Sequence, residues 1–70
     1  MNLLTFELTK PHIALCDLLK LTGVADSGGQ GKAMVAAGLV KVDGKIELRK
    51  TAKILTGQRV ETADIMIEVQ

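Results

Sequence analysis

A single cysteine, Cys16, leaves this chain unable to close an internal disulfide or to build a cysteine-cluster metal site. His12 is the only histidine, and with Cys16 four residues on it supplies too few ligands to hold a metal ion. Tryptophan and tyrosine are absent and Phe6 is the sole aromatic residue. Its place in an alternating apolar pattern predicts burial, so the exposed rings with which proteins stack unpaired bases are missing. No apolar run approaches the roughly 18 residues of a membrane span. The opening stretch, Met1 to Glu7, has neither a basic n-region nor a long apolar core of the secretory kind. These absences predict a cytoplasmic protein with no membrane association, no metal and no cofactor.

Catalytic signatures are equally sparse. The carboxylates are scattered without pairing, and no Ser-His-Asp set assembles. The run Gly28-Gly29-Gln30-Gly31-Lys32 has the look of a phosphate loop, but that motif needs Gly where Asp26 stands and Ser or Thr where Ala33 stands. Seventy residues allow one domain, 1–70, whose core supplies only a few kcal/mol of net stability. The expectation is therefore a non-enzyme and, with nothing pointing to self-association, a monomer.

What the chain does have is an uneven charge distribution beneath a net charge of only +1. Residues 1–31 set Lys10 and Lys20 against Glu7, Asp17 and Asp26, and residues 60–70 carry only Glu61, Asp64 and Glu68. Between them, residues 32–59 hold Lys32, Lys41, Lys45, Arg49, Lys50, Lys53 and Arg59 against Asp43 and Glu47, a local net charge of +5. A polyanion responds to the local field, so a neutral protein with a cationic middle can still attract nucleic acid.

The pattern of apolar residues gives an α+β fold. Leu4, Phe6 and Leu8 alternate with Thr5 and Glu7 as in a half-buried strand. Pro11 suits a first helical turn, Leu15, Leu18 and Leu19 repeat at helical spacing, and Gly23 stands where a left-handed cap is wanted; the first helix is predicted over 11–21. Ser27 and Gln30 have capping-box spacing ahead of a second helix that runs through Gly31 to Ala37 and closes at Gly38. Gly31, Met34 and Val35 share one face of it, where the missing side chain of Gly31 lets another backbone approach closely, while Lys32 turns to water. Val40 and Val42, the Asp43-Gly44 turn and Ile46 read as a hairpin. A three-residue loop would set Val40 opposite Ile46 and leave Lys41 and Lys45 together on the solvent side, and that register is expected. Short strands follow around Ala52–Leu55, Arg59–Thr62 and Ile65–Val69, separated by turns at 56–58 and 63–64. Two helices should pack on one face of a small, mostly antiparallel sheet.

In order, Leu15-Cys16-Asp17-Leu18-Leu19, Gly23-Val24, Ser27, Lys32, Gly38-Leu39-Val40-Lys41-Val42-Asp43-Gly44-Lys45, Arg49 and Gly57-Gln58-Arg59-Val60 resemble the S4 RNA-binding domain, over residues 13–60. The opening strand and the run 15–21 are similar to small stand-alone bacterial members of that family. The resemblance implies an L-shaped pair of helices (the αL motif), with structured RNA, ribosomal RNA among the candidates, held against the helices and the adjoining hairpin. It carries the basic positions of the family onto Lys32, Lys45 and Arg49. Lys50 and Lys53 extend that patch, and Lys20 and Lys41 are peripheral candidates. The chain departs from the pattern at Ala14-Leu15-Cys16, where the family often has Arg-Leu-Asp, at Gly28, where many members are basic, and at Gly31, where alanine is usual. Glycine inside a helix costs about 0.5–1 kcal/mol relative to alanine. The alternative reading is a module that binds a ribosomal or RNA-processing protein.

Overall fold

A computed structural model describes residues 2–70. The elements follow as β1 (Asn2–Phe6), β2 (Ile13–Ala14), α1 (Leu15–Leu21), α2 (Gly28–Ala36), β3 (Lys41–Val42), β4 (Lys45–Ile46), β5 (Lys53–Ile54), β6 (Arg59–Glu61) and β7 (Ile65–Val69). Five strands form a sheet in the order β1-β7-β6-β3-β4, and β2 with β5 forms a separate two-stranded ladder. All pairings are antiparallel except β1 with β7, which run parallel. The α+β architecture expected from periodicity is therefore present, with helices on a mostly antiparallel sheet.

Register explains which face of the sheet is buried. Val42 pairs with Val60, Val60 with Ile67, and Ile67 with Leu4, so one apolar row crosses four strands. Val60 and Ile67 are fully buried and meet Leu15, Leu18, Leu19 and Val35 from the helices in a single core. Burying each such aliphatic side chain is worth roughly 1.5–3 kcal/mol. Cys16 is buried with them, as its apolar neighbours suggested. The opposite face carries Lys41 beside Glu61 and Arg59 beside Glu68. Phe6 packs against the core but is only half-buried, so part of its ring stays on the surface, contrary to the expectation of burial.

Local signals fare well at the helix ends. Gly23 adopts φ +80° and its N–H donates to the Lys20 carbonyl, closing α1. Ser27 caps α2, its hydroxyl accepting from the Gln30 N–H at 3.1 Å. The return half of the capping box is displaced by one residue, because Gln30 Oε1 accepts from the N–H of Asp26 rather than of Ser27.

Two expectations are corrected. The first helix begins at Leu15, not near Pro11, because Ile13 and Ala14 commit their backbone to the ladder with Ile54 and Lys53. Pro11 and His12 lie in the loop before it. The hairpin closes through a two-residue turn, pairing Lys41 with Ile46 and Val42 with Lys45. Asp43 at φ +51° and Gly44 at φ +85° both take the left-handed conformation that the tightest hairpin turns require, and Asp-Gly is suited to it. Turn chemistry thus outweighs apolar pairing: Ile46 is left 59 % exposed, and Lys41 and Lys45 point to opposite faces instead of sharing one.

Gly31 is buried where the helices meet. A Cβ there would lie 2.9 Å from the Cys16 carbonyl oxygen and 3.4 Å from its Cα, atoms of α1 backbone that cannot swing aside. Gly31→Ala gains about 1 kcal/mol of helix propensity but incurs about 1–3 kcal/mol of overpacking. We expect a net loss near 1 kcal/mol, seen as a lower urea midpoint at unchanged m-value; an unchanged or raised midpoint would show that the helices can separate freely.

Candidate functional site

The start of α1 has no side-chain cap, and its free amides are satisfied from a distant part of the chain. The Leu15 N–H donates to the Ala52 carbonyl at 2.9 Å and the Cys16 N–H to the Lys50 carbonyl at 3.1 Å. Together with the ladder between β2 and β5, these bonds fix residues 50–54 against the beginning of α1. Gly31 brings the α2 backbone against the same residue, Cys16. Lys32, next in sequence, is therefore carried to the segment 49–53. The result is an open groove of about 710 Å³ whose lining includes Lys32, Arg49, Lys50 and Lys53, with Leu48 and Thr51 between them. All four cations are exposed.

The four are not equivalent. Arg49 is held by Glu47: its Nη2 donates to Oε1 at 2.9 Å, its Nε to Oε2 at 3.0 Å, and its backbone N–H to Oε2 at 3.1 Å. These bonds to Arg49 hold the Glu47 carboxyl well below its usual range, at about 2, and raise the guanidinium in turn. Among the described residues, Lys32, Lys50 and Lys53 have no carboxylate within ion-pair distance. Three cations thus face water unneutralised and a fourth is shared with an acid. Glu47 and Arg49 stand two apart after β4, outside any strand or helix, so no periodic pattern announces their pairing.

The remaining predicted residues stand elsewhere. Lys45 sits beside the hairpin turn, opposite Val42, and does not line this groove. Lys41 lines a different groove, with Glu61 and Asp64, which dilute its charge. Lys20 lies on the outer side of α1, in a cleft it shares with Lys10 and His12. Periodicity gave Lys10 no role and set His12 at a helix start, whereas both stand in the loop before α1. The turn residue Asp43 is engaged structurally: its carboxylate accepts from the Arg59 N–H at 3.0 Å and from Gln58 Nε2 at 3.1 Å, and these bonds lower its pKa. Gln58 in turn accepts from the Leu55 N–H, so the β3–β4 turn is tied to the 55–59 loop.

No group of three or more potential metal ligands occurs among the described residues. Nor, among them, is any helix long and apolar enough to cross a membrane. Leu48, in the lining of the groove, and Ile46 both lie close to Gly38, and both are about 60 % exposed; Leu39, equally exposed, lines the other groove with Lys41.

The family profile of the S4 domain matches residues 6–70. The protein YbcJ of Escherichia coli (strain K12) is 53 % identical over 66 residues, covering 93 % of this chain and 94 % of that protein; YbcJ of Shigella flexneri matches to the same extent. The solution structure of E. coli YbcJ, described as revealing an αL motif involved in RNA binding, superposes with a TM-score of 0.75 at 51 % identity. The match covers 99 % of this chain and 89 % of that one.

The Glu47–Arg49 pair sets a pH dependence. The folded-state value of Glu47 lies below the unfolded one, so its contribution is complete above about 4.5 and is lost as pH falls through about 2. Arg49 is exposed and Glu47 only partly buried, so solvent screens the pair and the effect on stability is small. Carboxyl ¹³C titration of Glu47 should give a midpoint near 2, moving toward 4.5 in Arg49→Ala. A wild-type midpoint at 4.5 would mean that the pair does not persist in solution.

Proposed function

The chain belongs to the S4 domain family, and from that premise we propose that it binds structured RNA, with ribosomal RNA among the candidates, through the groove of Lys32, Arg49, Lys50 and Lys53. The observation that carries this reading is the convergence of α2 and the 49–53 segment, distant in sequence, on one exposed cationic surface. Lysines on a rigid frame suit phosphates spaced along a folded helix, where shape selects the partner and charge supplies the affinity. The RNA-binding motif of the E. coli relative supports the assignment. The role is non-catalytic, and the protein acts as a cytoplasmic monomer. Lys45, Lys41 and Lys20 are peripheral: each can reach a flanking phosphate, but none belongs to the groove.

With about three or four phosphates engaged, log K for an RNA hairpin should fall with log[salt] at a slope of roughly −3, borrowing the duplex DNA coefficient of about −0.9 per phosphate. The combined variant Lys32→Glu/Lys50→Glu/Lys53→Glu should lose binding while keeping its fold, since all three side chains are exposed. Glu47→Gln should bind more tightly than wild type, because it frees Arg49 and removes the acid bordering the groove. A flat salt response, or unchanged affinity in the triple variant, would end the electrostatic reading.

The exposed pair Ile46 and Leu48, both close to Gly38, favours a second reading, docking on a ribosomal or RNA-processing protein. Salt-insensitive association with such a protein, abolished by Ile46→Ser/Leu48→Ser and accompanied by no affinity for RNA, would replace the first reading with this one.

A further inference from the structure

The cleft between β1, the loop 7–12 and α1 has a composition that phosphate binding alone does not explain. Its partly buried apolar members, Phe6, Leu8 and Ile13, form a floor, and the exposed Lys10, His12 and Lys20 stand around it. The cleft is open to solvent, with a volume of about 610 Å³. Among the described residues, neither lysine has a carboxylate within ion-pair distance and Asp17, also in the cleft, has no cation within it. An apolar floor with one aromatic ring, two cations and one carboxylate has the chemistry to take a nucleotide: a flat base would cover the floor, its amino edge donating to Asp17, with its phosphate by the lysines.

The position of this cleft relative to the groove completes the argument. Ala14 lines the cleft, Lys53 lines the groove, and the two are register partners across the β2–β5 ladder. The two depressions are therefore separated by the width of a single strand pair, about 5 Å between facing residues. A nucleotide leaving a duplex seated on the groove has only that ladder to cross.

We propose that this cleft receives the base and phosphate of an unpaired nucleotide projecting from the RNA held on the groove, an inference that rests on the RNA-binding reading above. A bulge or loop then adds contacts that a continuous duplex lacks, and Lys10, His12 and Lys20 join the interface as a second station instead of as scattered surface charge.

The test compares a fully paired hairpin with the same hairpin carrying a single bulged adenosine, by fluorescence anisotropy at fixed salt. Wild type should bind the bulged RNA about tenfold more tightly, as expected for one accommodated base. Lys10→Glu/Lys20→Glu should remove the preference, whereas Lys50→Glu/Lys53→Glu should weaken both RNAs alike and keep their ratio. The ring resonances of His12 should shift with the bulged hairpin and not with the paired one. Equal affinity for the two hairpins, or a preference that survives in Lys10→Glu/Lys20→Glu, would overturn the cleft proposal and leave the groove reading standing. Failure of wild type to bind either RNA would overturn both.

Discussion

The closeness of two backbones at Gly31 and Cys16 is the constraint on which the remainder of this molecule depends. A side chain at position 31 would push α2 away from α1, and Lys32 would travel with it. Cys16 is simultaneously the residue whose N–H reaches the Lys50 carbonyl, so one short stretch of α1 positions cations contributed by two remote segments. Exposed lysines do not organise themselves; here backbone hydrogen bonds and one absent methyl group do it for them. The apparent weakness of a glycine within α2 is offset by the packing that it permits.

Much of the fold could be read from the residues because its signals are local. The strand alternation, the serine cap at Ser27 and the left-handed Gly23 depend on a few neighbouring positions and hold in the folded chain. What escaped depends on contacts between distant positions or on a contest between two local rules. The ladder formed by Ile13 and Ala14 with Lys53 and Ile54 is two residues long and has no periodicity to betray it, yet it delays the first helix until Leu15. At the hairpin, apolar matching and Asp-Gly turn geometry point to different registers, and the turn prevails.

The cationic middle of the chain was legible as a composition, but its division among surfaces was not. The residues 32–59 look like one patch when written in a line. In three dimensions the alternation of β3 and β4 sends Lys41 and Lys45 to opposite faces, Glu61 and Asp64 join Lys41, and Glu68 lies beside Arg59. Of the residues that do converge, Lys32 was turned to water by helical periodicity, whereas Arg49 and Lys50 follow β4 on irregular backbone, where no periodic rule assigns a face. His12 was hidden by the misplacement of the helix start, which made it seem part of α1 instead of part of the loop that also carries Lys10.

The parallel pairing of β1 with β7 has a kinetic meaning. Nearly the whole chain intervenes between these two strands, so their alignment demands the largest loop closure in the molecule and yields little until everything between is compact. The helices, the ladder and the hairpin join segments closer together in sequence and can assemble earlier. The elements that frame the cationic groove, α1, α2 and the β2–β5 ladder, all lie within residues 13–54 and so close smaller loops than the pairing of β1 with β7 does.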